Sequence, residues 1–405
     1  MCFKVLYVLF LTCQLLYGSF YIGGVVTPRQ LMTIVMFIAC YRIGMIKLDK
    51  YWGLYLIFII FYGMSSALTG YFSQYSRQLI GFYMTAYVAY QSTKVIVGKY
   101  KAEALIFYTF AAIGLFDAIV TIGQYLYMPW ANDVVQVFHF EGSENLSEFQ
   151  DFHESLEGYT VPGIVGDVMN GYFLPLACIF VWYNRNVMFR FLNFLLWSIV
   201  MVGLFFVQQR TGFATGIVAS IFIMYQLLSN RMGFVAKALF FIFTIIALSV
   251  FWIYGSEFVE ESGSRYALGG DMSTRSDLYS RCIDYIFDNP WGGIFDCGNK
   301  VGMPHNLFLN AFIYGGYIGG LFVLYIIFEQ FKICVRELIH INVRENFALL
   351  LVILAWFSFF ICSLAHNLSI VTGDVHVWIF WAAIICLIER DAINSQTSLL
   401  SLKRR

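Results

Sequence analysis

Residues 104–128 read ALIFYTFAAIGLFDAIVTIGQYLYM, an apolar run whose one charged residue is Asp117. Because a membrane-spanning helix needs about 20 mostly apolar residues, this run is long enough to cross a bilayer. The whole chain shares its character, since 60% of the 405 residues are hydrophobic and 12% are charged. A soluble protein carries about twice that charged fraction. The sequence therefore predicts an all-α polytopic membrane protein.

Apolar runs recur along the chain and predict about twelve transmembrane helices in a single integral membrane domain, residues 1–405. The sixth run is short and the last two lie close together, so ten or eleven spans remain the alternative. A single basic residue, Lys4, lies at the start of the first run, and no small-residue cleavage site follows the run, so we expect a retained helix here. The predicted spans are residues 3–20, 31–46, 51–70, 78–97, 104–128, 170–183, 192–208, 213–228, 238–255, 306–328, 347–364 and 376–389.

The distribution of Lys and Arg predicts the orientation of the chain. With the N-terminus inside, eighteen of the 25 basic residues fall in short cytoplasmic loops, and the C-terminus is also cytoplasmic. The few basic residues left outside either bind an anion there or belong to ordinary solvated loops. These outer residues are Arg29, Arg77, Arg210, Arg265, Arg275, Arg281 and Lys300.

Two longer segments are predicted on the outer side, residues 129–168 and 256–304. The first is acidic and is expected to contain a short helix within 141–157. Its carboxylates are spread evenly, which indicates a solvated surface more than paired acid–base groups. The second is too short for an independent domain, so we expect it to pack on the helix bundle.

The second outer segment contains a predicted amphipathic helix. Ser273-Thr274 is expected to open it, with Asp277 completing a capping box, and the proline of Asp288-Asn289-Pro290-Trp291-Gly292-Gly293 ends it. Its apolar stripe is predicted from Leu278, Ile283, Tyr285 and Ile286, and its polar positions are Arg275, Asp277, Arg281 and Asp284.

Cysteine usage gives one further candidate feature in this segment. Cys282 and Cys297 share the loop and could pair in an oxidising compartment, with free thiols as the equal alternative. Zinc-type spacing is absent from the sequence.

Two ionisable side chains in or beside predicted spans have alternative interpretations. Arg210 lies in a tight hairpin at the outer end of the seventh span, where a guanidinium suits bidentate phosphate binding or snorkels to lipid headgroups. Asp117 is central in the fifth span and is a functional candidate by position, although a protonated or hydrogen-bonded structural carboxyl is the alternative.

His305 and Asn306 lie where a predicted membrane helix begins, directly after Pro304. The positive end of the helix dipole disfavours protonation of an imidazole there, so a neutral His305 could accept a proton from a sugar hydroxyl. An interfacial histidine bonded to a backbone carbonyl is the alternative. Asn306 is expected either to cap the helix or to hold a hydroxyl.

Small residues follow along the same predicted helix. Their four-residue spacing permits a second helix to approach closely, which is a structural role. They are Ala311, Gly315 and Gly319, together with Gly316 and Gly320.

Over residues 274–325 the chain resembles the O-antigen polymerase and O-antigen ligase superfamily. The resemblance consists of Arg275, Leu278, the 288–293 sequence, and His305-Asn306 followed after nine residues by Gly316 and after two more by Gly319. The sequence Gln209-Arg210-Thr211-Gly212 resembles a family hairpin in which serine is usual at the first position. Residues 160–170 match the family's glycine-rich turn only loosely, which leaves a role for Asn170 in doubt.

The resemblance implies a fold similar to the GT-C-like glycosyltransferases that use lipid-linked sugars. It also implies an enzyme of the bacterial inner membrane that transfers glycan from an undecaprenyl diphosphate carrier to a sugar hydroxyl at the periplasmic face. Cofactor, metal and nucleic acid are not expected. The partners expected are the lipid-linked donor and acceptor, membrane lipid, a chain-length regulator and a flippase.

The same resemblance assigns roles to the candidate residues. His305, Arg210 and Arg275 are expected to be catalytic, with His305 activating the acceptor. Arg281, Asn306 and, more weakly, Arg265 are expected to bind substrate. A polymerase is favoured; a ligase that transfers glycan to lipid A-core is the alternative, and a polysaccharide flippase or transporter is the alternative from another class.

Overall fold

The computed structural model describes residues 2–16, 27–44, 46–138, 163–184, 190–207, 209–229, 272–343, 345–365 and 369–402. Within these ranges all regular structure is helical and no strand occurs. The all-α prediction is therefore confirmed for this part of the chain. Arg265, the predicted span 238–255 and the predicted helix within 141–157 lie outside the described residues.

Fifteen α-helices occur in the described ranges. The long helical stretch from Phe72 to Lys99 contains two π-helical turns, Leu79–Tyr83 and Val95–Lys99, and a 3₁₀ turn, Val181–Tyr183, extends α8. The helices are α1 (Cys2–Leu16), α2 (Pro28–Arg42), α3 (Lys50–Leu68), α4 (Phe72–Gln78), α5 (Met84–Lys94), α6 (Ala104–Tyr125), α7 (Pro129–Phe138), α8 (Asp167–Phe180), α9 (Arg190–Phe206), α10 (Arg210–Ser229), α11 (Met272–Asp288), α12 (Ile294–Lys300), α13 (Leu307–His340), α14 (Phe347–Ser363) and α15 (Val375–Leu402).

Eleven of the twelve predicted spans coincide with a described helix. Three of these helices, α3, α6 and α13, are long and apolar enough to cross a membrane. Four shorter apolar helices accompany them, within α1, α8, α9 and α14. These helices indicate a membrane-associated protein, while the number of spans stays a prediction.

Contacts divide the chain into two compact units. Unit 1 comprises Met1–Phe10, Gln30–Leu105 and Asp271–Arg405. Unit 2 comprises Leu11–Arg29 and Ile106–Gly270.

Helix α13 packs closely on α3 in the core of unit 1. A Cβ atom added to Gly315 would lie 2.8 Å from the ring of Phe58, and one added to Gly319 would lie 2.9 Å from Phe61. Only glycine permits this approach of the two helices, so the expected packing role is confirmed for Gly315 and Gly319.

An aromatic cluster joins α3 to α15 in the same unit. The buried indole of Trp378 lies 4.5 Å from the ring centroid of Trp52 and 4.7 Å from that of Tyr55. Large rings bury much apolar surface, and such pairs add about 0.5–1.5 kcal/mol beyond burial. These contacts stabilise α3, the helix on which α13 packs.

Loop residues predicted to share a side of the membrane are in contact within unit 1. On the predicted cytoplasmic side, Lys94 pairs with Asp49 at 3.0 Å, and Arg390 pairs with Glu103 at 2.9 Å. On the predicted outer side, the Asn299 amide donates to the Tyr71 hydroxyl at 2.9 Å. The side of the membrane on which each of these residues lies stays a prediction.

Unit 2 packs α6, α8, α9 and α10 through small residues. Gly114 of α6 meets Ala177 of α8, where an added Cβ would lie 2.1 Å from the alanine methyl. Gly212 at the start of α10 lies against Gly171, where an added Cβ would lie 2.1 Å from the Gly171 carbonyl oxygen. The hairpin that carries Arg210 is thus fixed against the N-terminal turn of α8.

Candidate functional site

The 289–293 turn docks onto a break in α13. At Gly316 the backbone leaves the helical conformation, with φ 62° and ψ −168°. The amide of Tyr317 donates to the carbonyl of Pro290 at 2.9 Å, and the amide of Gly293 donates to the carbonyl of Ile313 at 2.8 Å. The turn therefore supplies hydrogen-bond partners at the break.

Glycine is required on both sides of this contact. A Cβ on Gly316 would lie 2.6 Å from the Pro290 oxygen, and a Cβ on Gly292, at φ 81°, would lie 2.7 Å from the Ile313 oxygen. Both distances are shorter than side-chain atoms tolerate. The contact explains why glycines occur at both places in the sequence motif.

The C-terminal end of α11 fixes the turn from its other side. The Asn289 amide donates to the Tyr285 carbonyl at 2.9 Å, and the Tyr285 hydroxyl donates to the Gly293 carbonyl at 3.0 Å. Burial raises the pKa of Tyr285, helped by the nearby Asp296 carboxylate. The phenol thus stays protonated as a donor.

His305 is exposed at the N-terminal end of α13. Its φ of 44° lies in the left-handed region, which is uncommon for a residue with a side chain. It follows the buried Pro304 and precedes the helix cap. An exposed imidazole at this position is accessible to a ligand from outside unit 1.

Asn306 is the N-cap of α13. Its side-chain oxygen accepts from the amides of Phe308 at 3.0 Å and Leu309 at 3.2 Å. Its amide nitrogen donates to the Leu364 carbonyl at 3.3 Å. The capping alternative is therefore observed, and the second N–H of the amide is the group left for a substrate hydroxyl.

The two candidate arginines of α11 lie at positions on different faces of the helix. Arg281 is exposed, and its guanidinium Nε lies 3.4 Å from the Asp277 carbonyl in the same helix. Position 275 lies three residues before Leu278 and seven before Cys282, which both approach Gly302. Helical periodicity places backbone position 275 in register with that inward face, so the two arginine positions lie on different sides of α11.

The described part of α11 starts at Met272, and the capping box at Ser273-Thr274 stays a prediction. The expected apolar stripe of α11 needs correction. Ile283 is 43% exposed and does not belong to the buried stripe, which instead includes Cys282, Tyr285 and Ile286. Cys282 lies on the buried face of α11 instead, because residues 278, 282 and 285 share one face of the helix.

Arg210 belongs to unit 2, where it is exposed at the first position of α10. The preceding residue, Gln209, is buried and fills the space beside Gly171. The hairpin thus exposes the guanidinium while its neighbours pack inward.

Asp117 belongs to a buried polar cluster in unit 2 that the sequence did not reveal. Its carboxylate accepts from the amide of Ile164 at 2.8 Å, and the Gln124 side chain accepts from the amide of Gly163 at 2.8 Å. Asp117 and Gln124 are seven residues apart, so they share one face of α6. Asn170 is also fully buried here, beside Gly163. Asp117 is thus hydrogen-bonded through one carboxyl oxygen, while its other oxygen is buried without a hydrogen-bond partner among the described residues, and its functional role stays a prediction.

Comparison with models of known protein families and with curated proteins gives no match. In the described part of the chain, no group of three or more His, Cys, Asp or Glu side chains is arranged to hold a metal ion. The candidate site of unit 1 consists of the exposed imidazole of His305, the N-cap residue Asn306 and helix α11, which carries Arg275 and Arg281. The 289–293 turn follows α11 and docks on α13.

Proposed function

We propose that this chain is an O-antigen polymerase-like glycosyltransferase of the bacterial inner membrane. It would join oligosaccharide repeat units carried on undecaprenyl diphosphate at the periplasmic face. The docking of the 289–293 turn at Gly316 carries the proposal. That contact brings together two parts of the sequence motif that are separate along the chain.

The proposed reaction transfers a glycan from the diphosphate of the donor to a hydroxyl of the acceptor. The bond between the anomeric carbon and the phosphate oxygen breaks, and a glycosidic bond forms. His305 would take the proton of the acceptor hydroxyl, which suits an exposed imidazole at a helix N-terminus. Asn306, as the cap, would hold His305 in place and offer its second N–H to a sugar hydroxyl.

The leaving diphosphate needs positive charge around it. A guanidinium binds phosphate oxygens through two parallel hydrogen bonds, and each charge-assisted bond contributes roughly 1.5–3 kcal/mol. In unit 1 this role falls to Arg275, with Arg281 in substrate binding. The resemblance assigns the same chemistry to Arg210 of unit 2, and Arg265 lies outside the described residues.

The surface of α11 suits a substrate that is half lipid and half sugar. Ile283 and Phe287 lie one turn apart on α11, Trp291 lies in the turn that follows it, and the Phe287 and Trp291 side chains are 71% and 52% exposed. Asp277 and Arg281 are exposed on another part of the helix surface. Such a helix can lie in the membrane interface with its apolar side chains among lipid chains.

The break in α13 also bears on the transporter alternative. Transporters use broken helices whose freed backbone groups line a substrate site. Here Tyr317 N–H and Ile313 C=O at the break are paired with the 289–293 turn. The Asp117 carboxyl likewise binds the Ile164 amide. Both observations favour the enzyme.

Deletion of the gene followed by lipopolysaccharide gel analysis tests the proposal. A single repeat unit on the core would identify a missing polymerase, whereas lipid-linked polymer that never reaches the core would identify a missing ligase. Complementation with Arg210→Ala, Arg275→Ala and His305→Ala should fail. Lys300→Ala is the matched control, because Lys300 is an exposed cation that pairs with Asp296 at 2.9 Å. A full ladder from all three variants would refute the proposed roles of these residues.

A further inference from the structure

Two thiols meet inside the packed region between α11 and α12. Cys282 and Cys297 are both fully buried. Both are free thiols in the structure, and their sulfur atoms lie 4.0 Å and 3.8 Å from the same acceptor, the carbonyl oxygen of Gly302. The two thiols thus converge on one oxygen atom.

Their place in the chain distinguishes this pair from the other cysteines that the structure describes. Cys2 and Cys13 lie in α1, and Cys40, Cys178, Cys334, Cys362 and Cys386 lie in α2, α8, α13, α14 and α15, respectively. Cys282 and Cys297 lie in the segment between predicted spans, on the predicted outer side. A periplasmic location is oxidising, so neighbouring thiols there are a substrate for disulfide formation.

We propose that Cys282 and Cys297 form a disulfide that joins α11 to α12. The proposal rests on the periplasmic orientation that the proposed function also requires. Both thiols are oxidised, and a sulfur–sulfur bond forms between them. The two electrons and two protons pass to the disulfide of a thiol–disulfide oxidoreductase, which is reduced to its dithiol.

The bridge would close the chain around the docked turn. The segment from Cys282 to Cys297 contains the 289–293 turn, whose amides and carbonyls pair with α13. A crosslink at the two ends of this segment restricts the unfolded chain and keeps the ends of the turn together. It also links the helix that carries Arg275 and Arg281 to the segment that leads to His305.

The local environment favours Cys282 as the attacking group. The hydrogen bond from the Cys297 thiol lowers the pKa of Cys282, with a smaller contribution from Arg281, and the same bond raises the pKa of Cys297. A thiolate is the nucleophile in disulfide exchange.

Trypsin offers a direct test on the full-length protein in its membrane. Cleavage after Arg281 and Lys300 releases residues 282–300, a peptide that contains these two cysteines and no other. The membranes are acid-quenched and the protein is fully denatured, so that free thiols, including buried ones, are alkylated with a light reagent, and a heavy reagent is added after reduction. We expect this peptide to carry two heavy labels. A peptide that carries two light labels would overturn the disulfide.

A second measurement separates failure of the disulfide from failure of the orientation. In a Cys282→Ser/Cys297→Ser chain, Ser280→Cys introduces a thiol at an exposed position of α11, within tryptic peptide 276–281. Labelling of this peptide by a membrane-impermeant maleimide in spheroplasts would support the orientation. If it is labelled while peptide 282–300 of the natural sequence is reduced, only the disulfide is refuted. If it is labelled only after permeabilisation, the orientation fails and both proposals fail with it.

Discussion

The amide of Tyr317 donates its hydrogen bond to the carbonyl of Pro290 at 2.9 Å. In an unbroken helix this amide would pair with Ile313, four residues earlier. Ile313 instead accepts from Gly293 at 2.8 Å. One hydrogen bond within α13, between Tyr317 and Ile313, is thus replaced by two hydrogen bonds between α13 and the 289–293 turn. The non-helical conformation of Gly316 leaves room for the turn to make them.

Gly316→Ala should therefore destabilise the protein. The φ and ψ of Gly316 fall in a region that is essentially restricted to glycine, where another residue costs on the order of 1–3 kcal/mol. The added methyl would also lie 2.6 Å from the Pro290 oxygen. Thermal unfolding in detergent measures the change. Gly53→Ala in α3 is the control, because an added Cβ there meets nothing within 4 Å. Equal losses in the two variants would contradict the docked turn.

Asn306→Ala should lose about 1 kcal/mol of unfolding free energy relative to Asn306→Ser, because serine retains an N-cap oxygen and alanine does not. The measurement is again unfolding in detergent. The serine variant also tests substrate binding, since it keeps the cap oxygen but removes both amide N–H groups, the one that donates to the Leu364 carbonyl and the one left for a substrate. Full stability with reduced polymer formation in that variant would support a substrate contact, and full activity would restrict Asn306 to capping.

Hydropathy and the positions of Gly and Pro predicted most helices, because a long apolar run between polar loops has few alternatives to a helix. The glycine spacing correctly predicted close packing at Gly315 and Gly319. It did not predict the break at Gly316, because that conformation depends on the 289–293 turn, which docks there from an earlier part of the chain. The sequence around Gly316 contains no information about the turn that docks there.

The candidate site was predictable to a similar degree. The sequence placed His305 and Asn306 at a helix start, and Asn306 is the cap. It included Ile283 in the buried face of α11, although the side chain is exposed. An apolar side chain in a membrane protein can face lipid as well as the core, so composition cannot distinguish these places. The sequence also did not reveal the hydrogen-bond partner of Asp117, because Ile164 is distant from it along the chain.

His305→Asn should remove activity while preserving the fold. Asparagine tolerates the left-handed backbone that His305 adopts at φ 44°, but it has no group that accepts a proton near neutral pH. Loss of a general base lowers the rate by about 10²–10⁴-fold. His305→Gly is the control for the backbone and should unfold no earlier than the natural protein. Retained polymer synthesis in the asparagine variant would exclude acceptor activation by this side chain.

Arg275→Gln should slow glycan transfer more than Arg281→Gln does. Position 275 is in register with the face of α11 that meets Gly302, and Arg281 is exposed beside Asp277. A lost donor to the leaving diphosphate costs roughly 10²–10³-fold in rate, whereas an exposed charge at the edge of a site contributes little. Initial rates with a purified lipid-linked repeat unit compare the two variants. A larger loss for Arg281 would reverse these assignments.

Asp117→Asn should be tolerated, and Asp117→Leu should not. The observed role of the carboxyl is to accept a hydrogen bond from the Ile164 amide at 2.8 Å, and an asparagine oxygen can accept the same bond. Leucine leaves that buried amide without its acceptor, which costs about 1–3 kcal/mol. The unfolding free energies of the two variants test this difference. A stable Asp117→Asn protein that makes no polymer would show that polymer synthesis requires the carboxyl itself, and Asp117 would then become a candidate catalytic residue.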